Sequence, residues 1–94
     1  MNALIVDDER LARSELRRLL TAHPDISVVG EAANAGEAEA RVRAGDVDVL
    51  FLDIQMPGAT GFDLLERLDT LPLIIFTTAY DEYAVRAFEV NAFD

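Results

Sequence analysis

The sequence predicts an α/β fold with a doubly wound, mostly parallel sheet. Three observations support this. Short apolar runs alternate with amphipathic or capped stretches along the whole chain, as in consecutive βαβ units. The runs near Ala3–Val6, Val47–Leu52 and Leu73–Thr77 are almost continuously apolar, which suits strands covered on both faces. The loops between them are short, as crossover connections in such sheets are.

The elements follow in order. The first strand is expected over about Ala3 to Asp7. A first helix should run from about Glu9 to Ala22, with Ala12, Leu16, Leu19 and Leu20 on its buried stripe and His23-Pro24-Asp25 ending it. A second strand covers roughly Ile26 to Glu31. Asn34 can cap a second helix that reaches about Ala44 and is stopped by Gly45. A third strand spans Val47 to Leu52. After the loop Met56-Pro57-Gly58 and then Gly61, a third helix runs from Phe62 to Leu68. Pro72 opens a fourth strand, Leu73 to Thr77, and a fourth helix extends from about Asp81 to Asn91.

Bulk composition narrows the function. Ninety-four residues, 51% hydrophobic and 28% charged, suit one folded domain. A formal net charge of −10 disfavours nucleic acid and anionic membranes as direct partners. Without cysteine there is no disulfide or thiolate chemistry. No apolar stretch approaches the roughly 20 residues of a membrane span, and no charged leader precedes the first strand. A soluble, cytoplasmic protein is expected. All eight basic residues are Arg, and there is no Lys.

Carboxylates at strand ends are the main functional clue. The first run ends in Asp7-Asp8 and the third in Asp53. Ligand sites in such sheets lie beyond the carboxyl ends of the strands. Three carboxylates brought together there repel one another unless one protonates or a cation joins them. A hard divalent ion with oxygen ligands, most simply Mg²⁺, resolves the conflict. A carboxylate left partly free can then act as a nucleophile.

Each residue also has an ordinary reading. Asp7 and Asp8 can cap the first helix and complement its dipole, although Asp7-Asp8-Glu9 supplies more acids than a cap needs. Asp53 can be a solvated strand end, but Pro57 would stiffen the loop behind it and Gly61 permits close backbone approach. A hydroxyl at the end of the fourth strand could donate to an anion on Asp53. Thr78, followed by small Ala79, suits that role better than Thr77, which reads as β-branched strand filling. His23 reads as a surface turn residue. Arg10, Arg13, Arg17 and Arg18 read as a solvated helix face or a protein-docking surface.

Together, Asp7-Asp8, Asp53 with Met56-Pro57 and Gly61, and Thr78-Ala79 resemble the receiver domain of two-component response regulators, over the entire chain. The segments from Asp7 to Leu16 and from Phe76 to Asp94 are similar to receivers that precede a LytTR-type DNA-binding domain. The resemblance implies a flavodoxin-like sheet of order 2-1-3-4. It implies that Asp53 accepts a phosphoryl group from a phosphohistidine of a sensor histidine kinase. Asp8, Asp53 and the backbone carbonyl of Gln55 would ligate Mg²⁺, with Asp7 acting through metal-bound water and Thr78 bonding a phosphoryl oxygen. Such a domain is a switch with at most weak self-dephosphorylation, not an enzyme.

Family receivers also carry a Lys at the end of a fifth strand, and a switch aromatic within it. This sequence stops before such a strand. The expectation is therefore a receiver domain over residues 1–94, incomplete at its C-terminus, with fifth strand, fifth helix and output domain missing. A homo-oligomer through the fourth-strand edge or the fourth helix is expected to follow. Two rival readings are a phosphorylation-independent interaction module on the same fold, and an Asp-nucleophile phosphohydrolase. The latter usually has a second Asp two residues after the nucleophile, where this chain has Gln55.

Overall fold

In a computed structural model, residues 1–54, 56 and 61–77 are described. The elements are β1 (Asn2–Val6), α1 (Arg10–Leu20), β2 (Ser27–Ala32), α2 (Ala35–Arg43), β3 (Val49–Asp53), α3 (Gly61–Arg67) and β4 (Leu73–Thr77). They form a four-stranded sheet in the order β2-β1-β3-β4, parallel at every pairing. The expected order is thus observed. The fourth helix lies outside the described residues.

Alternation along the central strands creates two cores, because successive side chains leave opposite faces of a strand. Leu4, Val6, Leu50 and Leu52 point to one face and pack with Ala35 and Ala38 of α2, Leu64 of α3, and Ile74 and Phe76 of β4. Ala3, Ile5, Val49 and Phe51 point to the other and pack with Leu20, Leu16 and Ile75. Burial on both faces is why β1 and β3 read as apolar without interruption.

The helix boundaries have local causes. The Asn34 side chain accepts a hydrogen bond of 2.9 Å from the Glu37 amide, and the Glu37 carboxylate accepts one from the Ala33 amide. These bonds satisfy donors that a helix start leaves open. Gly45 adopts φ 94°, the left-handed conformation that ends helices, so α2 stops where the sequence says it should.

The structure corrects two expectations. Leu19 does not belong to the buried stripe of α1: it is 51% exposed, while Leu20 is buried. Adjacent helix residues diverge by about 100°, so a helix lying on a flat sheet cannot bury both. The third strand begins at Val49, not Val47, and includes Asp53. β2 also carries an irregularity. Its register against β1 shifts after Val28, leaving Val29 as the extra residue. The Val29 carbonyl accepts from Arg41, which keeps it satisfied.

Candidate functional site

Parallel pairing brings the ends of β1 and β3 side by side. Val6 is in register with Leu52, so the residues that follow them, Asp7 and Asp53, leave the sheet at the same edge. Asp7, Asp8 and Asp53 each offer a carboxylate oxygen, and these oxygens all lie within 4.8 Å of one another. The clustering expected from the two strand ends is therefore present. Asp53 is buried at 7% exposure, Asp7 is intermediate and Asp8 exposed. The site thus has a buried floor and an open rim.

The β1–α1 loop is held by Asp7. Its amide donates to the Ala32 carbonyl (3.0 Å), and its Oδ1 accepts from the Glu9 amide (2.9 Å). Asp7 therefore closes a local Asx-type turn. The capping alternative fails in detail. Glu9 occupies the cap position of α1 and makes no side-chain cap bond.

Gly61 sets the other wall. Its amide donates to the Ile54 carbonyl at 3.3 Å. A Cβ at this position would sit 2.8 Å from the Asp53 carbonyl oxygen, with Leu52 Cγ at 3.1 Å. The close backbone approach expected of Gly61 is real. Met56 is buried in the core just beyond Asp53, and Thr77 pairs with Asp53 across β3–β4. Gln55 and Thr78, both expected at the site, lie outside the described residues.

Electrostatics strains the cluster. Two like charges about 4 Å apart repel by roughly 4 kcal/mol at an effective dielectric near 20, and by less where water screens exposed Asp8. Burial pushes the Asp7 carboxyl above its usual value; the Glu9 amide bond pulls it down, and the Asp8 charge adds to the rise. Between the unfolded and folded values the native chain holds more protons than the unfolded chain, so stability falls as pH rises through that window. The unfavourable contribution of Asp7 is fully present above its folded pKa and is relieved as pH falls. In metal-free protein, Asp7→Asn is expected to gain stability relative to wild type as pH rises from about 4 toward neutral, by an amount on the order of 1 kcal/mol or less. Urea midpoints of both proteins across that range measure it; a constant difference contradicts it.

The donor set fits a hard cation. Three carboxylate oxygens between a buried floor and an open rim offer the ligand type that Mg²⁺ takes, and Mg²⁺ ordinarily binds through one or two carboxylates while keeping several waters.

Arg13 is the residue that sequence reasoning missed. The charge pattern alone places it on a solvated helix face or a protein-docking surface. Instead its side chain is 15% exposed and donates to both the Asp7 carbonyl and Glu31. Arg17 donates to the other Glu31 oxygen. The available signal was Glu31 at the end of the second strand, an acid facing a helix that presents Arg at i and i+4.

Comparisons with known proteins agree with the fold. A profile of the response regulator receiver domain matches residues 3–94. The transcriptional regulatory protein BtsR of Salmonella typhi is 54% identical over 96 residues, spanning 100% of this chain and 40% of that protein. The sensory transduction protein LytT of Enterococcus faecalis is 48% identical over 97 residues, with the same shares covered. The response regulatory domain of protein mrkE from Klebsiella pneumoniae superposes with a TM-score of 0.78 at 37% identity, covering 100% of this chain and 80% of that one. A chain from the complex of the CheA3 P1 domain with CheY6 of R. sphaeroides gives 0.76 at 33% identity, covering 95% of this chain and 74% of that one. The chain thus spans about 40% of the length of the curated relatives it matches.

Proposed function

The chain belongs to the response regulator receiver family, and from that premise we propose that Asp53 is its phosphoacceptor, loaded by a sensor histidine kinase. The observation that carries this reading is the buried Asp53 carboxylate gathered with Asp7 and Asp8 at the end of β3. In the transfer, an Asp53 oxygen forms a bond to phosphorus as the P–N bond of a phosphohistidine breaks. The electron pair leaves with the imidazole.

Asp8, Asp53 and the Gln55 carbonyl would hold Mg²⁺, with Asp7 bonded through its water. When bound, the ion spreads charge off the equatorial phosphoryl oxygens. Asp53 supplies the nucleophile, and Gly61 keeps the backbone behind it close. Thr78 donates to a phosphoryl oxygen. The domain is a switch with at most weak self-dephosphorylation. In a longer protein of the BtsR or LytT kind it would control a LytTR-type, DNA-binding output, and its working compartment is the cytoplasm.

Acetyl phosphate with Mg²⁺, followed by intact mass and peptide mapping, tests the assignment. One phosphoryl group on Asp53 is expected. Labelling of these 94 residues should be slow, because no Lys is available to stabilise developing charge. One preorganised donor is typically worth about 10²–10³ in rate. Labelling at another residue contradicts the reading. A second reading is an interaction module on the same fold that works unphosphorylated. Complete absence of label, with undiminished binding to a partner, selects it.

The same polypeptide should self-associate. Among the described residues, β4 pairs only with β3. Leu73 on that strand and Leu71 just before it are exposed. An unpaired apolar edge invites pairing with a second copy. Light scattering of the 94-residue chain should report a dimer or larger, and a monodisperse species of 10.4 kDa at high concentration contradicts this.

A further inference from the structure

The hydrogen bonds around Arg13 converge on one residue of the acidic site. Nη1 of Arg13 donates to the Asp7 carbonyl at 2.7 Å. Its Nε donates to Glu31 Oε1 at 3.0 Å, and Arg17 takes Glu31 Oε2 at 2.9 Å. Glu31 stands on β2, one residue before Ala32, whose carbonyl accepts the Asp7 amide at 3.0 Å. With the Glu9 amide on its carboxylate, Asp7 is therefore fixed at its N–H, its C=O and its side chain. Asp8 is the next residue, and its placement follows from the backbone that Asp7 holds.

We propose that Arg13 is a positioning residue for divalent-cation binding. It clamps the Asp7 carbonyl so that the β1–α1 loop presents the Asp7 and Asp8 carboxylates toward Asp53. The inference rests on the reading of these three acids as a metal site, and it adds a residue that acts through the Asp7 backbone rather than as a ligand.

Two effects of Arg13 oppose each other. As a positive charge beside the site, it repels an incoming cation, so its loss on charge grounds alone should tighten binding. As a clamp, it preorganises the loop, so its loss should weaken binding. Removing an outer residue that orients metal ligands typically costs 10–100-fold in affinity. The two effects differ in sign, so one measurement separates them.

Arg13→Lys isolates the geometry. It keeps the charge, but an ammonium cannot reproduce the planar fork that spans the Asp7 carbonyl and Glu31. Arg17→Ala supplies a comparison. It removes a Glu31 partner while leaving the Arg13–Asp7 bond in place.

The test is calorimetric titration of the chain and its variants with MgCl₂, with urea unfolding of each in the absence of metal. Wild type is expected to bind at millimolar concentration or below. Arg13→Ala should bind at least about tenfold more weakly, Arg13→Lys should bind at least as weakly as Arg13→Ala because it loses the fork yet keeps the repelling charge, and Arg17→Ala should stay within about twofold of wild type. Binding by Arg13→Ala that equals or exceeds wild type overturns the proposal. So does an equal loss in Arg17→Ala, which would mark general loosening of α1 on β2. If Arg13→Ala does not fold, Arg13→Lys decides, and wild-type affinity there overturns the clamp. A wild type that binds no Mg²⁺ overturns the metal-site reading itself, and this inference with it.

Discussion

One methyl group added at position 61 is expected to lower stability by about 1–3 kcal/mol, the usual cost of forcing atoms into a packed interior. In Gly61→Ala the new Cβ would meet the Asp53 carbonyl oxygen at 2.8 Å, and Leu52 Cγ at 3.1 Å. Leu52 is a flexible side chain, but it is fully buried and has little room to move. The carbonyl belongs to the backbone of β3, so relief requires α3 to move out or the strand end to bend. Either shift disturbs the Gly61–Ile54 hydrogen bond and the carboxylate that β3 presents. The variant should therefore lose Mg²⁺ affinity along with stability. A lowered urea midpoint with unchanged metal affinity would show that α3 absorbs the strain alone. An unchanged midpoint would contradict the close approach.

Replacing Asp53 with Asn should bring phosphoryl labelling to background. The amide fills nearly the same volume at a 7% exposed position, so circular dichroism should report an intact fold. It lacks the anionic oxygen that attacks phosphorus. Asp7 and Asp8 remain, which makes the variant a stringent control. They lie near the same edge, yet both follow the end of β1, whereas Asp53 is the last residue of β3. If either acts as acceptor in the wild type, the label survives in Asp53→Asn and the assignment is wrong. Intact mass after extended treatment with acetyl phosphate and Mg²⁺ gives the result.

Much of this site was legible in the sequence because burial on both faces writes strands as unbroken apolar runs. Where such a run ends in Asp, the acid lies at the sheet edge, and parallel pairing does the rest. Asp7, Asp8 and Asp53 were found in that way. Gly45 and Asn34 were legible as helix stop and cap, roles that depend on local backbone chemistry. Leu19 was misplaced because the helical period identifies a stripe without fixing which margin of it meets the sheet. Arg13 was misread for a related reason. A long side chain can bury its stem and place its guanidinium against a neighbouring strand. Periodicity sees only its charge. The partner, Glu31, is 18 residues away and becomes a neighbour only through the β1–β2 pairing.

The central claim is that the two strand ends build one divalent-cation site beside the phosphoacceptor. Backbone NMR during a Mg²⁺ titration tests it most directly. The account predicts saturable shifts at millimolar metal that are largest at Asp7, Asp8, Asp53 and Gln55, and small at the far ends of the strands around Asn2 and Val49. Shifts at the acids no larger than those elsewhere on the chain would contradict it.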